Sequence, residues 1–171
     1  MQVTAIHDYK ENLDTLLRYF SEDELITDKY QKLGARKVLV NKLEETDDGF
    51  TVETQREVPA NVPGVLKSIL GSFNTIKQKE SWHWQENEQL LCHMDVEIIG
   101  VPAKISGQMM FSEPADRAGV TTQNNVSVTV KSSVPLIGST LVSFICDDIK
   151  QQMQKEYEFL CETLPQLVAE D

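Results

Sequence analysis

The chain has 171 residues, 40% hydrophobic and 25% charged, with a formal net charge of −11. That length predicts one domain spanning residues 1–171, able to bury about 70% of its unfolded surface and to enclose a cavity. The acidic total and the lack of a basic run argue against nucleic acid and anionic membranes as partners, since both are recognised through clustered Lys and Arg.

Val3–Tyr9 reads as a first strand. Asn12 is placed to cap a helix carrying Leu13, Leu16, Leu17 and Phe20. Ser21, with Glu24 three residues on, suggests a capping box for a second helix with Leu25, Ile26, Tyr30 and Leu33. Gly34 stands where a helix end needs a left-handed residue. Ala35–Glu44 and Phe50–Val58 read as a hairpin around Asp47-Asp48-Gly49. Pro59–Phe73 reads as a loop holding a short amphipathic helix. Further strands are expected at Ile76–Gln85, Gln89–Ile99, Ala103–Phe111 and Val120–Val134, with a polar loop at Glu113–Gly119. After Pro135 and Gly138, apolar residues recur at Leu141, Val142, Ile145, Ile149, Met153, Tyr157, Leu160 and Leu164. That spacing of three and four is one helical stripe, roughly 40 Å long at about 1.5 Å per residue.

The expected order is strand, two helices, six strands and one long helix, an α+β arrangement. Short turns between the later strands favour an antiparallel sheet. A sheet of about seven strands that curls needs a filling for its concave face, and only the terminal helix is long enough. The sequence therefore argues for a container.

Period-2 alternation assigns the inward faces. Phe50, Val52, Thr54, Arg56 and Val58 share one face, and Ile76, Gln78, Glu80, Trp82 and Trp84 another. Thr54, Arg56, Gln78 and Glu80 are polar exceptions on these faces. A buried charge is costly unless paired. If these strands are neighbours, Arg56 and Glu80 can pair, either as a polar patch orienting a ligand's head group or as a structural ion pair near the rim. Trp82, Trp84, Met94, Met109 and Phe111 read as core fillers or as cavity wall, with Ile145 and Ile149 facing them from the helix.

No catalytic signature is visible. His7, His83 and His93 are isolated, land mostly on the polar face and read as surface or satisfied histidines, and Asp47-Asp48 and Asp147-Asp148 as solvated residues. Neither a phosphate-binding glycine pattern nor paired metal ligands occur, so no cofactor or metal is expected. Cys92, Cys146 and Cys161 are three in number and form no C-x-x-C, which suggests reduced thiols in the cytoplasm. The N-terminus lacks the basic start and apolar run of a signal peptide, and no apolar stretch approaches the roughly 18 residues of a membrane span. Membrane insertion is not expected, and the oligomeric state is not legible.

Taken in order, certain segments resemble the START-like (SRPBCC) superfamily with its helix-grip fold. More narrowly, they resemble a bacterial family within it described as a domain of unknown function. The resemblance rests on the opening strand ending at Tyr9 and the two short helices after it. It continues through Pro59-Ala60-Asn61-Val62-Pro63 with Leu66 and Leu70-Gly71, then Trp82. Gly100-Val101-Pro102 with Ile105 and Gly107, and Val134-Pro135-Leu136-Ile137-Gly138, complete the series. It covers nearly the whole chain. One departure is Val142, where the family often carries an acidic residue, so no role for that carboxylate carries over. The resemblance implies a deep pocket between a curved sheet and the C-terminal helix, in which relatives hold lipids, sterols or polyketides; some are cyclases or hydrolases.

The first expectation is thus a binder of a hydrophobic small molecule. Its contacts would be Arg56, Glu80, Trp82, Trp84, Met94, Met109, Phe111, Ile145 and Ile149. The alternatives are a cyclase or aromatase-type enzyme in the same cavity, with Glu80 and Arg56 as its acid–base set, or a protein-interaction domain with a filled core.

Overall fold

The computed structural model describes residues 1–115 and 118–170. Residues 116 and 117, in the expected polar loop, lie outside the described residues. The elements are β1 (Gln2–Tyr9), α1 (Leu13–Ser21), α2 (Asp23–Lys32), β2 (Arg36–Thr46), β3 (Gly49–Pro59), β4 (Phe73–Trp84), β5 (Leu90–Ile98), β6 (Lys104–Ser112), β7 (Thr122–Lys131) and α3 (Gly138–Glu170). They form one seven-stranded sheet in the order β1-β7-β6-β5-β4-β3-β2, antiparallel at every step. This is the expected α+β arrangement of a curved sheet around a long helix.

The topology explains how a hollow can be closed. Strands β1 and β2 are joined by α1 and α2, yet they form opposite edges of the sheet. The two helices must therefore cross from one edge to the other. At about 1.5 Å per residue the 33 residues of α3 run for about 50 Å. Leu141, Val142, Ile145 and Cys146 are buried near its start, and Leu160, Leu164 and Leu167 near its end. Between them Ile149, Met153 and Tyr157 are only half-buried. The helix is anchored at both ends and lifted in the middle.

One end of the interior is solid. Trp82 is fully buried and stacks on Phe50 at 5.1 Å and on Phe111 at 5.6 Å, with Phe20 of α1 at 5.5 Å. Aromatic rings at these separations attract one another beyond the area they bury. Trp84, two residues on, is 41% exposed and belongs to no such cluster. Period-2 reading gave both tryptophans one face, but Trp84 is the last residue of β4, where the sheet end meets solvent.

The helix ends follow local chemistry. The Asn12 side chain accepts from the Thr15 amide at 2.9 Å, as expected for a cap. Ser21 does not cap α2. It is the last residue of α1, and its hydroxyl donates to the Leu17 carbonyl at 2.9 Å. The extended residue Glu22 separates the helices, and its carboxylate is held by Arg18. Gly34, with φ +96°, ends α2; its amide reaches the Gln31 carbonyl and the Ala35 amide the Tyr30 carbonyl, both at 3.0 Å. The expected short helix after Pro59 is a single 3₁₀ turn, Gly64–Leu66, whose prolines and glycines leave no room for more. Leu66 and Leu70 nevertheless anchor it in the core. Helix α3 outruns its expected end at Leu164. Pro165 removes one backbone donor, but buried Leu164 and Leu167 keep the apolar stripe packed across it.

Removal of the aromatic anchor should destabilise the fold far more than removal of its neighbour. Trp82→Ala is expected to cost about 3–5 kcal/mol, and Trp84→Ala less than about 1 kcal/mol. Urea unfolding with a shared m-value checks this; equal losses would contradict the packing described.

Candidate functional site

Between the sheet and the lifted middle of α3 lies a cavity of about 210 Å³. Drug-sized ligands usually occupy roughly 300–1,000 Å³, so this space suits a small or slender molecule. Its walls are mainly apolar, with Met94, Val96, Ile105 and Val128 from the sheet and Ile145 and Ile149 from α3. Residues from β1 and from β3 both reach it, which places it inside the curl.

A chain of polar groups crosses one wall. Arg56 donates from Nη2 to Gln78 Oε1 at 3.2 Å, and Gln78 Nε2 donates to Glu80 Oε2 at 2.7 Å. The other oxygen of Glu80 accepts from Trp82 Nε1 at 2.9 Å. Strand register explains the chain: residues 78 and 80 lie on one face of β4, with Thr54 paired to Gln78. The guanidinium of Arg56 lies 4.0 Å over the Tyr30 ring, a cation–π contact. Arg56 Nη1 and Thr54 Oγ1 are buried without a hydrogen-bond partner.

Behind this chain sits Lys29 of α2, fully buried, with Nζ 2.8 Å from Glu156 Oε1 and 3.9 Å over the Phe20 ring. Burial alone would lower the Lys29 pKa, but Glu156, Tyr30 and Glu80 together hold it above its ordinary value. Burial pushes the Glu80 carboxyl up, against the pull of Lys29, Trp82 and Gln78.

On the opposite edge His7 is buried, stacked on Tyr157 at 4.4 Å and nearly parallel to it. Burial depresses its pKa, opposed by Glu156 and Asp8. Its register partner Asn124 is buried with Oδ1 unpartnered, while Nδ2 lies 3.6 Å from Met109 Sδ. The Tyr157 hydroxyl donates to the Asp8 carbonyl at 2.9 Å and ties α3 to β1.

A family profile described as "Protein of unknown function (DUF2505)" matches residues 4–164. The chain belongs to this family. No curated protein matches the sequence. Among solved structures, Ara h 8.0201 is 11% identical with a TM-score of 0.61, covering 97% of this chain and 98% of that one. TTHA0849 from Thermus thermophilus is 14% identical with a TM-score of 0.57, covering 99% and 97%. A conserved protein from Geobacillus kaustophilus is 7% identical with a TM-score of 0.52, covering 95% of each chain. At these identities the likeness is one of fold, the helix-grip arrangement.

In this DUF2505 chain, Arg56, Glu80, Met94, Met109, Ile145 and Ile149 line the cavity. Trp82 and Phe111 stand behind the lining in the aromatic cluster, and Trp84 lies outside it. Arg56 and Glu80 form no direct pair; Gln78 relays between them. Two side chains assigned above to the polar face or to solvent, His7 and Asp148, belong to the interior or its rim, and Glu156, which carried no sequence expectation, joins them. His7 shares the inward face of Val3 and Tyr9, and Asp148 and Glu156 sit on the cavity side of α3. The signal for Lys29 was its helical spacing from Leu25 and Ile26, which puts it on the buried side of α2. Among the described residues no cluster suited to a metal ion occurs.

The raised Glu80 pKa has a definite sign in stability. Between its ordinary value of 4.5 and the higher folded value, the folded chain holds a proton that the unfolded chain has released. Stability from this group is therefore present at acid pH and declines as pH rises. Urea unfolding of wild type and Glu80→Gln should show wild type losing ground to the variant as pH rises above the ordinary carboxyl value of 4.5. A gap independent of pH would contradict the assignment.

Proposed function

We propose that this chain binds a small hydrophobic molecule in the space beneath α3, as a cytosolic, non-catalytic member of the START-like superfamily. The observation that carries the reading is an apolar-walled cavity crossed by one fixed polar chain, Arg56–Gln78–Glu80. Ligand sites combine an apolar lining with a few placed polar groups. Arg56 and Asn124 both line the space, and each carries a buried polar atom, Nη1 and Oδ1, without a hydrogen-bond partner. The free thiols Cys92, Cys146 and Cys161 agree with a reducing compartment.

Catalysis fits less well. A general acid or base must reach the substrate proton, yet both oxygens of Glu80 already accept from Gln78 and Trp82. A filled core fits less well again, because a cavity of about 210 Å³ lies beneath the middle of α3.

Native mass spectrometry of protein from its own host should show a bound apolar species. Ile149→Trp, which puts a larger side chain into the cavity, should weaken binding of the amphiphilic, anionic dye 1-anilinonaphthalene-8-sulfonate at least tenfold with melting temperature retained. Unchanged dye affinity in Ile149→Trp, together with ligand-free native protein, would refute the reading.

A further inference from the structure

Four exposed apolar side chains share one end of the sheet, while others, such as Ile6, Leu39, Trp84 and Val168, lie elsewhere on the surface. Val65, Ile99 and Leu136 are 58%, 43% and 100% exposed, and Phe73 is 40% exposed beneath the Arg36 guanidinium. They sit in or next to the β3–β4, β5–β6 and β7–α3 connections. In an antiparallel sheet these connections leave from the same end.

The charge of these connections is opposite to that of the chain. Residues 59–72, 99–104 and 131–146 contain no Asp or Glu, although the chain has 27. They contribute Lys67, Lys104 and Lys131, all exposed. Lys104 and Lys131 face each other directly in the β6–β7 register. Like charges so placed repel, and among the described residues none of the three lysines forms an ion pair. Leu136 adds backbone strain, with φ +69°. A left-handed position favours Gly or Asn, and full exposure favours a polar residue; leucine answers neither need.

We propose that this end docks peripherally on an anionic lipid bilayer. Val65, Ile99 and Leu136 enter the acyl boundary, and Lys67, Lys104 and Lys131 meet the phosphate headgroups. Separate apolar tips rimmed by lysines match an interface that accepts apolar side chains below a layer of negative charge. A second copy is a poorer occupant, because a two-fold contact would set these lysines against themselves. The remaining acidic surface is repelled by the same bilayer, which orients the molecule. The net charge alone suggested no such partner; its segregation does. Docking stands without any cavity ligand. Should a ligand bind, Ala60 and Leu70, which line the cavity, belong to the docking segment and would place its exchange at the bilayer.

The test is flotation of the full chain with vesicles of phosphatidylcholine alone and of phosphatidylcholine mixed with phosphatidylglycerol. Flotation with the mixed vesicles only, reversed by about 1 M salt, is expected. Lys104→Gln with Lys131→Gln should lower the partition coefficient about tenfold or more, and Leu136→Asp should do the same. Val168→Asp, at the far end of α3, should leave it unchanged. Circular dichroism melting controls for folding, and the lysine pair decides if Leu136→Asp fails to fold. Absence of flotation with mixed vesicles, or equal loss in Leu136→Asp and Val168→Asp, would overturn the proposal. A Leu136-dependent dimer or a Leu136-dependent acidic protein partner, in a chain that ignores vesicles, would overturn it as well.

Discussion

The hollow depends on how α3 is held. Apolar side chains secure the helix at both ends, while along its middle Ile149 and Met153 line the cavity. There the Lys29–Glu156 pair joins α3 to α2 at 2.8 Å, and the Tyr157 hydroxyl joins it to β1. These contacts hold the helix from the side. A helix with a continuous buried stripe would instead settle onto the sheet and fill the space, because burial of apolar surface favours contact.

The same pair organises the polar interior. Glu156 acts on His7, Tyr9, Lys29, Tyr30 and Glu80, so both polar edges of the cavity feel one carboxylate. Buried charges contribute little stability unless geometry and hydrogen bonds are good, and they are costly when left alone. Lys29 satisfies that condition through Glu156 and the Phe20 face. Glu80 satisfies it through two N–H donors. Arg56 is left with a buried, unpartnered nitrogen. That asymmetry is what gives the cavity a chemical direction. It also separates two ends of the molecule: an aromatic end that is solid, and an end with apolar, lysine-rimmed connections.

Much of the fold was legible because strands and helices announce themselves by period. The Asp-Gly hairpin, the alternation in β7 and the stripe from Leu141 to Leu164 each fixed an element without tertiary information. The site was legible in part. Alternation put Arg56, Gln78 and Glu80 on apolar faces, and the structure joins them. It could not say how far along the sheet each residue sits. Trp82, Trp84 and Glu80 therefore shared one expectation, though they occupy a solid core, a solvent edge and a cavity wall. Lys29 and Glu156 were missed because a charged residue is read as exposed by default, and only a partner on another helix makes burial affordable. Ser21 was misread as a cap because the motif does not show where the preceding helix ends.

The most direct check of the central claim is a crystal structure of the chain under xenon pressure, since xenon enters dry apolar cavities and leaves solid cores empty. The account predicts xenon density bounded by Met94, Ile105, Val128 and Ile149, with Lys29 still paired to Glu156. No xenon there, with Ile149 and Met153 packed directly on the sheet, would contradict it.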